Sequence, residues 1–338
     1  MKKKIQIGEQ ATTFYFNNSI SFLSTLVDKT NTFILTDENV YQYHKNKIKG
    51  FKVIVIKAGE LNKQQETINT IITQLLQLGA NRQSTLIGIG GGVITDMAGY
   101  VASIYMRGIA FGFVPTTILA MVDAAIGGKN GVDIGTLKNM VGTINQPGFL
   151  LYDYGLLKSL PNHEWENGFA EIIKHAFILD AAMYKQLLKH TIKHYQKDSM
   201  LLHKLIMRNA LLKTSIVQKD TFEKAERKFL NFGHTIGHAV ENDYKLAHGF
   251  AISIGMVLAA KISAAVGNFS SEQKLIDLLQ QYNLPTAIDF DLNKALEKVK
   301  SDKKSNANYV HFVLLEKIGK AYTMPLTLQQ ISFHLQPN

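Results

Sequence analysis

Short apolar runs alternate with helical patterns over the first 160 residues of the chain. Five runs, at residues 32–37, 52–56, 85–89, 111–114 and 149–152, each have three or more apolar residues, glycine included, in a short segment. Runs of this kind are typical of strands that are buried on both faces of a sheet. Amphipathic helices are predicted between them, over residues 63–78 before Gly79 and over residues 93–106. The alternation predicts an α/β domain built on a mostly parallel sheet.

The pattern changes after Pro161. Helical periodicity covers residues 164–179, 183–195, 200–218, 234–242 and 249–266, and strand patterns return only at 309–314 and 320–323. We therefore predict two domains, an α/β domain over residues 1–160 and a mostly α-helical domain over residues 161–338. The cleft between them is the expected active site, because ligand sites favour domain interfaces.

Composition narrows the class of protein. The 338 residues are 46% hydrophobic, enough for a large core, and no run near 18 apolar residues predicts a membrane span. The basic N-terminus has no apolar stretch behind it, so it does not resemble a signal peptide. Without cysteine, a metal site must use His, Asp or Glu. The formal charge of +10 favours anionic partners, but it is not gathered into a basic arm. A small anionic substrate therefore explains it better than nucleic acid does.

A histidine-rich stretch over residues 227–241 carries the strongest chemical signal. His234 and His238 are four residues apart in a predicted helix, so their imidazoles lie on one face. The pair can share a metal, or divide its work between a metal and a substrate. Thr235 stands where the metalloprotease motif has its general-base Glu, so that class is excluded. Glycines at 233, 237 and 249 predict room beside the histidines for a ligand to approach the backbone.

A glycine-rich turn over residues 87–96 predicts a pyrophosphate site. It joins a predicted strand to a predicted helix, where backbone N–H groups and the helix dipole favour an anion. Val93 replaces the third glycine of the dinucleotide fingerprint, and no Walker lysine follows. The turn therefore predicts nucleotide binding outside the ordinary Rossmann pattern.

Further polar residues stand in otherwise apolar segments. Glu171 and Lys174 are three apart on a predicted helix whose other positions are apolar, and buried charges need partners or a metal. The remaining candidates are Asp123, Lys129, Lys138 and Asn139, with the cations Arg107, Lys213, Arg227 and Lys304, which suit phosphate and carboxylate.

Taken together, these segments resemble the 3-dehydroquinate synthase family. The resemblance is carried in the family's order by residues 90–96, 105–108, 115–119, 123–129, 138–139, 168–174, 230–238 and 248–249, and it spans about residues 36–304. It implies a Rossmann-like N-terminal domain that binds NAD and a helical C-terminal domain that binds metal and substrate. It also implies a cytoplasmic, NAD- and zinc-dependent lyase of the shikimate pathway, with Co²⁺ as a possible substitute metal.

The resemblance also assigns roles to residues. The implied zinc ligands are Glu171, His234 and His248, and the implied catalytic residues are His238, Lys174, Asp123 and Glu171. The implied cofactor residues are Asp37, Asn39, Glu60, Lys63, Gly91, Gly92, Asp96, Thr116, Thr117, Lys129 and Lys138. The implied substrate residues are Arg107, Asp123, Lys129, Lys138, Asn139, Lys174, Lys213, Arg227, Asn231, His238 and Lys304. A homodimer is implied, with Arg107 reaching the neighbouring active site.

The implied reaction converts 3-deoxy-D-arabino-heptulosonate 7-phosphate to 3-dehydroquinate and phosphate. It combines oxidation by NAD, phosphate elimination, reduction, ring opening and an intramolecular aldol closure. The alternatives are another sugar-phosphate cyclase with NAD and zinc, or a metal-dependent polyol dehydrogenase. Lys213, Arg227 and Lys304 favour the carboxylate-bearing substrate of the synthase. No nucleic-acid or membrane partner is expected.

Overall fold

The computed structural model describes residues 1–135, 137–302 and 309–335. Its strands are β1 (Lys2–Ile7), β2 (Gln10–Phe16), β3 (Thr32–Asp37), β4 (Lys52–Ile56), β5 (Thr85–Gly90), β6 (Ala110–Pro115), β7 (Lys129–Ile134), β8 (Leu137–Ile144), β9 (Phe149–Tyr152), β10 (Tyr309–Lys317) and β11 (Lys320–Thr327). Its α-helices are α1 (Leu23–Leu26), α2 (Glu38–His44), α3 (Gln65–Gln77), α4 (Gly92–Ile104), α5 (Asn162–Leu179), α6 (Ala181–Leu187), α7 (Ile192–Lys197), α8 (Ser199–Lys219), α9 (His234–Tyr244), α10 (His248–Gly267), α11 (Glu272–Gln281), α12 (Leu292–Asp302) and α13 (Leu328–Leu335).

The chain forms two compact units, and the first is built on a seven-stranded sheet. This unit comprises Met1–Glu164 and Ser199–Thr221, so α8 belongs to it although α8 follows the predicted boundary at residue 160. The strand order is β1-β2-β9-β6-β5-β3-β4. In this order, every neighbouring pair except β1 and β2 is parallel. Strands β3, β5 and β6 are buried almost throughout, as their continuous apolar runs predict. The mostly parallel sheet is confirmed.

The order of the parallel strands locates a ligand site. From one edge, the spatial order of these five parallel strands is β4-β3-β5-β6-β9, so the second strand along the chain is outermost and the first lies next to it. This is a doubly wound order in which the connections reverse direction between β3 and β5. In such sheets, ligands bind outside the carboxyl ends of the strands at the reversal point. We refer to the ends of β3, β4, β5 and β6 as the carboxyl edge.

Two parts of the first unit differ from the expectation. The sequence pattern predicts no strand between residues 114 and 149, but β7 and β8 form an antiparallel hairpin there. Strand β8 has mostly exposed residues of mixed polarity, so no alternation marks it as a strand. The N-terminal strands β1 and β2 are also missed. Strand β1 lies at the sheet edge and begins with Lys2-Lys3-Lys4, the charged sequence with which edge strands limit aggregation.

The second unit comprises Trp165–Asp198 and Phe222–Asn338 and is mostly helical, as predicted. The predicted helix over 183–195 is in fact two helices, because Thr191 starts α7 with a capping box in which the His194 side chain accepts from the Thr191 backbone N–H. Helix α10 is long and apolar enough to cross a membrane by composition. However, 67% of its most apolar window is buried inside the protein, as in the core helix of a soluble domain.

Candidate functional site

The carboxyl edge brings together several predicted cofactor residues. Asp37 ends β3 and caps α2, where its Oδ1 accepts a hydrogen bond from the Val40 N–H at 2.9 Å. Gly91 caps α4 directly after β5, and the Thr116 N–H donates to the Gly90 carbonyl at 2.9 Å. The reversal between β3 and β5 therefore lies beside both Asp37 and the glycine turn. The N–H groups at the start of α4 are available to an anion at this position.

A buried lysine organises the same edge. Lys63 is 4% exposed, and its Nζ donates to Asp96 Oδ2 and Asn139 Oδ1, both at 2.6 Å. Burial alone would lower the pKa of Lys63, but Asp96 and Glu60 raise it above its ordinary value, so Lys63 is charged. Glu60 lies 3.7 Å from the Lys138 Nζ. Ion pairs and one hydrogen bond to Asn139 thus connect five predicted residues at this edge, although they are up to 79 positions apart along the chain (60 to 139).

Asp123 lies on a single π-helical turn, Ala120–Ala124, and meets a helix distant in sequence. The Lys213 Nζ on α8 lies 2.7 Å from the Asp123 carboxylate and also donates to its backbone carbonyl at 2.7 Å. Such turns are frequent at functional sites, because the extra residue re-aims one side chain. The predicted pair of Asp123 and Lys213 is therefore assembled within the first unit.

The second unit assembles a histidine cluster, which we define as Glu171, His234, His238, Glu241 and His248. Glu171 lies on α5, His248 begins α10, and α9 carries the other three. Ring centroids of the three histidines are 5.0–5.9 Å apart. The consecutive helices α9 and α10 therefore converge with the distant helix α5 on one buried carboxylate.

Distances within the cluster match a metal site. Glu171 is 0% exposed, and its Oε1 lies 3.8 Å from His234 Nε2 and 3.5 Å from His248 Nε2. Both separations are long for an N–H···O hydrogen bond. Ligand atoms bound tetrahedrally to one zinc ion at its usual bond lengths are about 3.4 Å apart. Neither Glu171 oxygen accepts a well-aligned hydrogen bond from the part of the chain that the structure describes. The donor set therefore fits a divalent cation.

The protonation states of Glu171 and His234 also suit metal binding. Burial would raise the pKa of Glu171, but Lys174 and the two imidazoles hold it well below its usual range, so the carboxylate is ionised. Lys174 forms an ion pair with Glu171 Oε2, on the other oxygen from the histidines. Burial and Lys174 lower the pKa of His234, which keeps it neutral. Its Nδ1 donates to the Phe232 carbonyl at 3.2 Å, so the lone pair is on Nε2.

The glycines beside the histidines serve packing. A Cβ at Gly233 would lie 2.8 Å from the Met256 backbone nitrogen, and one at Gly237 would lie 3.0 Å from the Ala251 carbonyl oxygen. Gly249 abuts the Asn167 carbonyl and donates its N–H to Asn167 Oδ1 at 2.6 Å. The prediction that these glycines leave room for a ligand is therefore wrong, because neighbouring helices fill that space. The close packing of α5, α9 and α10 is what brings the histidine cluster together.

The remaining predicted residues differ in burial. Arg227 is 2% exposed, and the Asn231 side chain donates to Glu223 Oε1. Lys129 is exposed at the start of β7. Arg107 is exposed after α4, and both it and Met106 have left-handed backbones, with φ of 70° and 49°. Lys304 lies outside the described residues.

One member of the histidine cluster is missed as a site residue by the sequence analysis. Glu241 is 4% exposed, and its Oε2 lies 3.4 Å from His248 Nδ1. Burial alone would lower the pKa of His248, but Glu171 and Glu241 raise it to about 9. The signal in the sequence is a carboxylate one helical turn after His238.

Comparison with known proteins identifies the family. The family models for the N-terminal and C-terminal parts of 3-dehydroquinate synthase match residues 53–167 and 168–305. The chain belongs to the 3-dehydroquinate synthase family. It is 42% identical over 313 residues to a 3-dehydroquinate synthase of Pyrococcus abyssi, which covers 89% of this chain and 92% of that relative. As a member of the 3-dehydroquinate synthase family, the chain is an enzyme, a cyclising lyase that acts on a small sugar phosphate.

Several solved structures share the fold of this member of the 3-dehydroquinate synthase family, among them those of two other synthases. The 2-epi-5-epi-valiolone synthase of Streptomyces hygroscopicus subsp. jinggangensis, with NAD⁺ and Zn²⁺ bound, has a TM-score of 0.88 at 25% identity, covering 98% of both chains. A 2-deoxy-scyllo-inosose synthase complexed with carbaglucose-6-phosphate, NAD⁺ and Co²⁺ has a TM-score of 0.84 at 23% identity, covering 99% of both chains. The shared fold extends over nearly the whole chain.

Proposed function

We propose that the chain converts 3-deoxy-D-arabino-heptulosonate 7-phosphate to 3-dehydroquinate and phosphate, using NAD and a divalent metal, Zn²⁺ or in its place Co²⁺. Family membership supports the reaction. The structural observation that carries the proposal is the buried Glu171 carboxylate, whose Oε1 faces two imidazole nitrogens at 3.5 and 3.8 Å. A polyol dehydrogenase would not explain the similarity to dehydroquinate synthases over 89% of the chain.

Glu171, His234 and His248 would hold the metal, and His238 would contact the substrate. The metal would supply Lewis acidity that lowers the pKa of a substrate hydroxyl. The His238 ring lies one helical turn from His234 and 5.9 Å from the His248 ring, so it is placed to take the proton of that hydroxyl. Lys174 stays paired with Glu171 Oε2, which holds the carboxylate in one orientation for the metal.

The carboxyl edge would hold NAD, which would supply reversible hydride transfer. Gly91, Gly92 and the start of α4 would bind its pyrophosphate, with Thr116 and Thr117 beside them. Asp37 at the end of β3 and Asn39 in the first turn of α2 would contact the adenosine ribose. Lys63, Asp96, Glu60 and Lys138 would fix the rest of this edge through their ion pairs.

Positive and amide side chains would hold the anionic ends of the substrate. In the first unit these are Lys129, Lys138, Asn139 and Lys213, with Asp123 on the substrate's hydroxyls. In the second unit they are Lys174, Arg227 and Asn231, together with Lys304, while His238 would contact the reacting hydroxyl. Most of the rate would come from positioning and from charge placed before the reaction begins.

We also propose a homodimer in which Arg107 reaches the neighbouring active site. Arg107 is exposed and follows Ile104 and Met106, which are 37% exposed each. On β8, Met140, Val141 and Ile144 are 37–45% exposed. The Thr143 hydroxyl of β8 bonds to Ser103 of α4 at 3.0 Å, so the two elements that carry these residues are neighbours. Exposed apolar residues grouped in this way favour a protein partner. A cytoplasmic location is proposed from the family alone.

The test measures phosphate release together with NADH absorbance, using the purified protein with NAD⁺ and Zn²⁺. Stoichiometric phosphate from the heptulosonate phosphate without accumulated NADH is expected, because the hydride is returned in each turnover. Glucose 6-phosphate and sedoheptulose 7-phosphate serve as control substrates. Turnover of either control alone would assign the chain to a neighbouring cyclase, and steady NADH production from a polyol would assign it to the dehydrogenases.

A further inference from the structure

The His248 imidazole stands between two buried carboxylates. Its Nε2 is 3.5 Å from Glu171 Oε1, and its Nδ1 is 3.4 Å from Glu241 Oε2. Glu171 and Glu241 are 0% and 4% exposed. Only Glu171 is among the predicted metal ligands, so the structure leaves a second carboxylate against the same ring without an assigned role.

A neutral imidazole has one N–H and one lone pair, and a metal needs the lone pair. The group that accepts a hydrogen bond from one ring nitrogen therefore decides which nitrogen can bind the metal. For His234 that acceptor is the Phe232 carbonyl, at 3.2 Å from Nδ1. For His248 the group in the corresponding place is the Glu241 carboxylate. Both histidines thereby direct Nε2 at Glu171.

We propose that Glu241 is a positioning residue for His248, accepting the Nδ1–H so that the Nε2 lone pair faces the metal held with Glu171 and His234. This inference rests on the metal site of the proposed function. A carboxylate acceptor does more than a carbonyl, because its negative charge makes the imidazole a stronger ligand. Its place on α9, one turn beyond His238, ties the start of α10 to the helix that carries His234.

A competing arrangement has Glu241 as a direct ligand. Ligand atoms of His238, Glu241 and His248 also lie within 4.8 Å of one another. That set would require His248 to bind through Nδ1, the nitrogen turned away from Glu171. In the proposed arrangement Nδ1 of His248 carries the proton and Nε2 binds the metal, and in the competing arrangement Nδ1 binds the metal. The position of the His248 ring proton therefore distinguishes them.

The experiment measures Zn²⁺ affinity of metal-stripped protein by competition with a chromophoric chelator. The variants are Glu241→Gln, which keeps the shape and an acceptor oxygen, and Glu241→Leu, which removes both. Asp243→Asn is the matched control, because Asp243 is a carboxylate on the same helix that pairs with Lys298. Thermal unfolding of the stripped proteins is followed alongside, and ¹⁵N-histidine spectra report the His248 tautomer by comparison with His248→Gln.

Affinity should fall about 10-fold in Glu241→Gln and toward about 100-fold in Glu241→Leu, with Asp243→Asn within about 3-fold of the parent. In the Zn²⁺-loaded parent, His248 should carry its one ring proton on Nδ1, and Glu241→Asp should keep more of the affinity than Glu241→Gln or Glu241→Leu does. Unchanged affinity in well-folded Glu241→Leu would overturn the inference and leave the proposed function intact. A proton on Nε2, with Nδ1 bound to metal, would make Glu241 a ligand instead. A parent protein that binds no metal would overturn both proposals.

Discussion

Replacing Gly233 by alanine tests whether close helix packing builds the histidine cluster. Gly233 caps α9 with φ of +81°, a left-handed backbone that costs an alanine roughly 1–2 kcal/mol. The added Cβ would also lie 2.8 Å from the Met256 nitrogen and 2.9 Å from the Ile252 carbonyl oxygen, both in the backbone of α10. Overpacking of this kind costs about 1–3 kcal/mol. The expected total is roughly 2–5 kcal/mol.

A matched glycine separates the two contributions. Gly79 has φ of +79° with nothing within 4 Å of an added Cβ, so Gly79→Ala meets only the backbone cost, roughly 1–2 kcal/mol. At about 2–4 °C per kcal/mol, its unfolding midpoint should fall by about 2–8 °C. Gly233→Ala should fall further, because α9 and α10 must also move apart.

Metal affinity is the decisive measurement for this pair of variants. Moving α9 away from α10 separates His234 from His248, so Gly233→Ala should bind Zn²⁺ at least about 10-fold more weakly, while Gly79→Ala binds as the parent does. The assay is chelator competition on metal-stripped protein. Equal midpoint losses in the two variants together with parental Zn²⁺ affinity in Gly233→Ala would refute the packing argument.

Three further substitutions test the site. Glu171→Gln should abolish metal binding and also destabilise the fold, because Lys174 is left buried without its carboxylate. Adding Lys174→Met should restore the unfolding midpoint but not the metal. Metal analysis and thermal unfolding measure the two effects. His238→Ala should keep stoichiometric metal and lose most turnover, and a metal-free protein would contradict the role given to it. Lys63→Met should cost about 3 kcal/mol and weaken NAD binding in calorimetric titration, since Asp96 is left unpaired; unchanged NAD affinity would remove Lys63 from the cofactor site.

The central sheet was predictable because its signal is local. Strands β3, β5 and β6 are buried on both faces, so each is a continuous apolar run that stands out against the helices around it. Strand β8 has the opposite character, since six of its eight residues are exposed and its pairing depends on β7. Its existence follows from a tertiary contact, which single-sequence periodicity does not contain.

Candidate site residues were predictable as types and motifs, but their partners were not. The four-residue spacing of His234 and His238 shows that they share a helix face, yet it does not show that Glu171 lies against His234. The pairing of Lys63 with Asp96 and Asn139 depends on the order of strands in the sheet, and Asp123 meets Lys213 through a helix 90 positions away. The glycines illustrate the same limit. Their lack of bulk is visible in the sequence, and the helices that require it are not.

The ion pairs show which cations of the chain can attract an anionic substrate from a distance. Among the residues that the structure describes, Lys63, Lys174, Lys213 and Arg227 are the buried cations, at 1–8% exposure. Each of the three lysines is already paired with a carboxylate, so each pair has nearly no net charge at a distance. Their contribution is therefore fixed geometry. Long-range attraction of an anionic substrate must come from the exposed cations, such as Arg107 and Lys129. Added salt should for that reason weaken substrate capture while leaving the buried pairs in place.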